Sequence, residues 1–230
     1  MNASDVLLDF MEQSGHLAEV LSSAEQAYEF AYTVLQRRWP EAEAAIAQDP
    51  VWAYAYVRDV LHRPWPEGEA AIAQHPQWAY EYARFVLERP WPAAESFIAQ
   101  DPRWAYAYAR HVLRRRWRGA ESTIAQDPWW AYAYARDVLG RAWPEAESVI
   151  VQDPRAAVEY ARIILQGPWS EAEPLIAQNP KWAYRYAYEV LHRPWPEVEP
   201  MIAQETTWAR YYAQDVLRLP AHEAEEWGRR

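Results

Sequence analysis

Apolar residues recur along this chain with two periods, one local and one long. The local period is helical: Trp52, Ala53, Tyr54, Tyr56, Val57, Val60 and Leu61 fall on one arc of a wheel turning about 100° per residue. The long period is a repeat, because Trp39, Trp65, Trp91, Trp117, Trp143, Trp169 and Trp195 follow one another at intervals of 26 residues with no insertion. The unit 39–64 reads WPEAEAAIAQDPVWAYAYVRDVLHRP, and seven such units fill 39–220. Residues 1–38 read as N-terminal capping helices and a degenerate repeat (13–38) in which only QAYEFAYTVLQRR matches. Residues 221–230 read as a truncated C-terminal cap. Atypical terminal units are what a stacked array requires at its ends.

Proline divides each unit into two helices. Pro40 suits a first helical position, where its missing N–H is harmless, and Glu41 and Glu43 suit the positive end of the helix dipole; this predicts a helix over 40–48. Asp49-Pro50 repeats the signal as N-cap and first position of a second helix over 51–62, which Pro64 and Pro66 terminate. A hairpin this short cannot bury its own apolar faces, so neighbours must stack on it. The expected fold is all-α, an α-solenoid of about eight stacked antiparallel helix pairs.

Comparing units separates fixed positions from free ones. The Ala53, Tyr56 and Leu61 positions keep their residue in all seven units, as does Ile46 in the first helix, so these are the expected core. Recurrence likewise assigns most of the 15 Trp and 16 Tyr to packing rather than to stacking on bases or sugars. Positions 55, 59 and 62 vary freely on the opposite arc, which predicts a solvated face. On that face Phe85 and Ile163 stand out as apolar residues, and an apolar residue on a water-facing stripe marks a contact. Glu43, Gln48 and Arg58 begin three polar ladders. The expectation is that Glu pairs with Arg or Tyr hydroxyls and that Gln satisfies backbone groups at the turn.

One junction breaks the template. Where most units resemble RPWPEAE, residues 115–121 read RRWRGAE, so Arg114, Arg115, Arg116 and Arg118 cluster, with His111 one turn earlier. Trp129 is a further departure, at a position holding Val51, Gln77 or Arg103 elsewhere. Arginine beside an extra aromatic suits a phosphate, a nucleotide or a carboxylate-rich peptide.

Composition narrows the classes. The formal net charge of −10 opposes nucleic-acid binding, which relies on Lys and Arg against phosphate. No Cys is present, so disulfides and thiolate chemistry are excluded. The six His lack ligand spacing and no Gly-rich phosphate loop or GxSxG elbow appears, so no catalytic residue, metal ligand or cofactor is expected. The start MNASDVLLDFMEQ carries neither a basic n-region nor a long apolar run, which makes the cytoplasm the expected location and a membrane an unexpected partner.

The motif carried by IAQDPRWAYAYARHVL followed by a WPEAE-type turn resembles short helical-hairpin repeats found in bacterial and phage proteins of unknown function, and more loosely helical repeat proteins at large. The resemblance covers about 39–220 and implies a stacked-hairpin fold without an activity or functional residues. Arg116, Arg118, Ala142, Ala156, Ser170 and Thr206 depart from the pattern. The expected function is therefore a non-enzymatic binding protein, a scaffold or inhibitor, that meets a protein partner through the varied face of its second helices. The alternative is a binder for an anionic small molecule such as a nucleotide, held by the Arg114–Arg118 cluster and Trp129. An acidic mimic of nucleic acid would use the Glu ladder, against which the neighbouring Arg ladder counts.

Overall fold

The computed structural model describes residues 3–227, and among them every regular element is helical. The expected architecture is present: helical hairpins repeat in register and pack on their neighbours as an α-solenoid. Two compact units divide the chain, Met1–Ala120 and Glu121–Arg230, and the division falls inside the 117–142 repeat.

In the 39–64 repeat the first helix spans Pro40–Ile46 and the second runs from Pro50 through Leu61, close to the sequence expectation. Asp49 caps the second helix, its side chain accepting from the N–H groups of Val51 and Trp52 at 2.8 and 3.3 Å. Asp101, Asp127, Asp153 and Asn179 do the same for their own helices. The Gln ladder closes the other side of that turn, with Gln74 Nε2 donating to the Ala70 carbonyl at 3.0 Å and Gln152 to Ser148 at 3.0 Å. In three repeats the α-helical part of the first helix shortens, to Glu121–Ile124, Glu173–Ile176 and Glu199–Ile202; Arg118 and Ser170 replace the N-terminal proline in the first two, while the third keeps Pro196 at the head of a 3-10 turn.

The core of each unit is built from the recurring residues. The Ile46-type anchors and the Ala53-type positions are buried throughout, and so is every Tyr at the Tyr56 position. These tyrosines solve a specific problem. A Trp preceding the first-helix proline sits at a helix start with its own N–H buried and unpartnered by the helix. The Tyr hydroxyl of the same repeat accepts that N–H, from Trp39 to Tyr56 at 2.7 Å and from Trp143 to Tyr160 at 2.7 Å. It then donates to the Glu of the first helix, Tyr56 to Glu43 at 3.3 Å and Tyr160 to Glu147 at 2.8 Å. The Tyr56 ring also packs on Trp65 of the following repeat, centroids 5.3 Å apart, so one side chain ties two helices and two repeats. Burial holds the Tyr56 hydroxyl neutral, pushing its pKa up to about 12.

The degenerate repeat carries Phe30 where later repeats carry Tyr, and it packs on Trp39 with centroids 5.2 Å apart. Its counterpart to Trp39 is Gln13, which lies within the helix Ala3–Ser14 and not at a helix start, so no orphaned helix-start N–H calls for a hydroxyl there. At the other end, Trp227 stacks on Tyr212 at 5.6 Å and covers the face that each earlier repeat covers with the next Trp.

The second helices do not end as ordinary α-helices. Their last turn widens to bonds five residues apart, as in His62 N–H to the Val57 carbonyl at 2.8 Å. The next residue is left-handed in every repeat: Gln36, His62, Glu88, Arg114, Gln166, His192 and Arg218 have φ between 51° and 61°, and Gly140 has 62°. A six-residue closure completes the end, for example Arg89 N–H to the Ala83 carbonyl at 3.2 Å.

This geometry corrects the expectation of a solvated face at positions 55 and 59, while position 62 is exposed in every repeat, as expected. Ala55 and Ala133 are buried, and Asp59 is half-buried, accepting from the Tyr28 hydroxyl of the preceding repeat at 2.8 Å. Asp215 accepts from Tyr184 in the same way at 2.6 Å. A wheel of about 100° per residue describes a regular α-helix, whereas a widened turn advances by less, and adjacent second helices pack against that stripe. His62 and its counterparts belong to the left-handed turn and not to a helix face.

Candidate functional site

In unit Met1–Ala120 an open basin of about 600 Å³ lies at the C-terminal ends of the second helices of the 65–90 and 91–116 repeats. It is lined by Phe85, Arg84, Arg89, Arg110, His111 and Arg114, with Glu88 as its acidic member. Three of the sequence-expected residues thus come together. Phe85 is 57% exposed, with the Arg84 guanidinium 4.8 Å from its ring centroid. His111 is half-buried, its ring 6.4 Å from that of Tyr80. Arg114 is exposed on the left-handed turn, which aims residue 114 off the helix end.

The arginines of the basin fall into two groups. Arg84 donates to the Tyr80 hydroxyl and Arg110 to the Tyr106 hydroxyl, one helical turn back, so these two are held in place by the repeat's own tyrosines. Arg89 and Arg114 make no side-chain hydrogen bond or ion pair among the described residues. Four guanidinium groups against one carboxylate make the basin electropositive in a chain of formal net charge −10. Helix carboxyl ends present partial negative charge, but here the wide turn and the six-residue closure occupy carbonyls such as those of Tyr82 and Ala83.

The remaining expected residues lie elsewhere. Arg115 and Arg118 are exposed and Arg116 is half-buried, and none of the three lines the basin. Trp129 and Ile163 belong to unit Glu121–Arg230, where Ile163 is half-buried. The Trp129 ring packs on Tyr132, centroids 5.3 Å apart, and carries the Arg155 guanidinium 3.8 Å from its centroid.

Sequence reasoning missed Arg84 and Arg89 as members of the basin. Both occupy regular ladder positions, and regularity reads as structural. The available signal was their place beside residues 85 and 111, where the chain varies most. The Glu ladder is structural, since each carboxylate receives a Tyr hydroxyl within its own hairpin, as Glu95 does from Tyr108 at 3.1 Å. At the array's start an Arg joins: Arg38 grips Glu43 through two bonds of 2.6 and 2.8 Å and holds its carboxyl below the usual carboxylate range.

Among the described residues no group of three or more His, Asp and Glu is placed to hold a metal ion, and no helix is long and apolar enough to cross a membrane. Compared with protein-family models, with curated proteins and with solved structures, the chain gives no match, so the repeated helical-hairpin architecture is its identification.

Proposed function

We propose that this chain is a non-catalytic helical-repeat binding protein, a scaffold or inhibitor, that takes a protein partner at the carboxyl ends of its second helices. The observation that carries this reading is Phe85, an aromatic side chain left 57% exposed at the rim of a basin whose other walls are cationic. A large apolar side chain ringed by guanidinium groups has the composition of an interface anchor, where aromatic and Arg residues concentrate binding energy. The repeat-to-repeat regularity elsewhere supports a scaffold whose specificity resides in the few positions that vary.

A second reading, an anionic small molecule in the same basin, is favoured by Arg89 and Arg114, whose guanidinium groups have no ion pair of their own among the described residues. Photo-crosslinking in cells separates binding from its absence. A photoreactive residue at 85 should give a discrete covalent protein adduct, while the same residue at Ala93, exposed on the first helix of the next repeat, should not. Equal labelling at both positions, or none at 85, overturns the protein-partner reading.

A further inference from the structure

We infer that the basin is one end of a trough that takes an extended, polyproline-type peptide bearing an acidic residue at every third position. This rests on the protein-partner reading and names the chemistry of the segment bound.

The trough is read from three adjoining basins within unit Met1–Ala120. The first is lined by Tyr32, Asp59 and His62, the second by His62, Arg63, Phe85 and Glu88, and the third is the Arg-rich basin already described. His62 belongs to the first two, and Phe85 and Glu88 to the last two, so the basins adjoin one another along four successive second helices. A small anion would occupy one basin and leave the other side of Phe85 bare. The basins are also open, whereas small-molecule sites enclose most of their ligand.

The spacing selects the conformation. Packed helices lie about 8–10 Å apart, so equivalent residues of successive repeats are offset by about that distance along the trough. A polyproline II helix has three residues per turn and rises about 9 Å per turn, bringing every third side chain to the same face. A β-strand alternates faces every residue and puts every third side chain on the opposite side. Two of the cations follow the repeat: Arg63 and Arg89 are equivalent residues 26 apart, one in the second basin and one in the third. Arg114 stands one position earlier in its own repeat, at the place of His62 and Glu88, and ends the row; none of the three makes an ion pair among the described residues, and they outnumber Glu88, the acidic residue of both basins. In the first basin Asp59 is already engaged by Tyr28 and by Arg58, at 2.7 Å, so the acidic residues of the ligand belong to the Arg63–Arg114 end. Phe85, between the two cationic basins, offers an aromatic wall to the prolines.

The test uses the full chain and two fluorescein-labelled peptides of identical composition. In one, Glu-Pro-Pro is repeated three times; in the other, three Glu precede six Pro. Anisotropy titration at about 0.15 M salt, where exposed charges are screened beyond about 8 Å, should give at least ten-fold tighter binding of the spaced peptide. Arg89→Glu should lower that affinity at least ten-fold, while Arg193→Glu, its equivalent in the other unit, should leave it unchanged. Arg89 is exposed and unpaired among the described residues, and circular dichroism checks that the variant keeps its helices. Equal affinity for the two peptides overturns the register. Pyrophosphate displacing the spaced peptide at concentrations below the peptide's own Kd overturns the peptide in favour of a small anion. Loss of peptide binding together with a retained crosslink at 85 defeats this inference alone and leaves the protein-partner reading standing.

Discussion

Every second helix closes on a left-handed residue, and this arrangement leaves stability unused at seven places. Gln36 and Gln166 have φ of 51° and 53°, and neither side chain makes a hydrogen bond among the described residues. A left-handed conformation costs an L-residue roughly 1–2 kcal/mol, while glycine enters it without that cost but loses about 0.5–1 kcal/mol more backbone entropy on folding. Replacing either Gln by Gly should therefore stabilise its repeat by about 0.5–1 kcal/mol, the difference of those terms. Gly140, already left-handed at φ 62° and with open space where a Cβ would stand, supplies the reverse experiment: Gly140→Ala should cost about 0.5–1 kcal/mol, backbone strain less the entropy glycine loses, with no steric clash added. Gln36 and Gln166 lie in different units, so their gains should add. Urea unfolding followed by tryptophan fluorescence and by circular dichroism measures the effect, fitted with per-repeat and interface energies because arrays depart from two-state behaviour. Destabilisation by Gln36→Gly and Gln166→Gly, with no loss in Gly140→Ala, would refute the argument that these turns are strained.

Other outcomes follow from the hydrogen-bonded core. Tyr160→Phe leaves the Trp143 N–H, now 2.7 Å from the hydroxyl, buried without an acceptor, and should cost about 1–3 kcal/mol in urea unfolding; a loss below about 0.5 kcal/mol would mean that water replaces the hydroxyl. Alkaline pH should act through the same groups, because burial pushes Tyr54 and Tyr56 up to about 12 from an ordinary 10.0. Stability should be intact below pH 10 and fall as pH rises from 10 through 12, where the unfolded chain sheds protons that the folded one keeps; a flat stability across that window would contradict it. Gly68 stands where five of the other repeats carry Ala and the last carries Val198, and a Cβ there would come within 2.2 Å of the Trp65 ring. Gly68→Ala should shift the Trp65 indole N–H resonance while costing under about 1.5 kcal/mol, since neighbouring repeats seat Ala beside Trp; an unmoved resonance would show the ring already clear.

Legibility in the sequence followed the kind of constraint. Proline at helix starts, Asp at N-caps and the recurring Tyr and Ile announce the hairpins and their inner faces, because each acts locally or repeats without change. The left-handed turn is hidden, since Gln, His, Glu and Arg are not residues that announce positive φ; only Gly140 hints at it. With the turn hidden, the widened last turn is hidden too, and a regular wheel puts position 59 in solvent when Asp59 in fact reaches the preceding repeat's Tyr28. The candidate site is half legible for a related reason. Variation exposes Phe85, His111 and Arg114, while Arg84 and Arg89 stay concealed in a regular ladder that serves packing in one repeat and lines a basin in another.

Variation itself therefore carries two meanings, and Trp129 shows how geometry separates them. Tyr28, Tyr54 and Tyr80 each stack on the Trp of the following repeat, at 5.3, 5.3 and 5.6 Å. Tyr132 has no such partner, because its counterpart in the following repeat is Ala156. Trp129 stands three residues before Tyr132 on the same helix, a spacing that puts two side chains on one face, and its ring packs there at 5.3 Å. Arg155, immediately before the missing Trp, lays its guanidinium over the substitute. Two departures from the repeat that look independent in the sequence are one compensation, an aromatic ring supplied from within the helix where the neighbour fails to provide it. Phe85 has no such account: its own repeat keeps every aromatic partner, Tyr54 stacking on Trp78 and Tyr82 packing tilted against Trp91, so no vacancy calls for it. Of the two, the aromatic residue that repairs nothing and remains 57% exposed is the one that packing does not explain, and that places the weight of the functional argument on Phe85 rather than on Trp129.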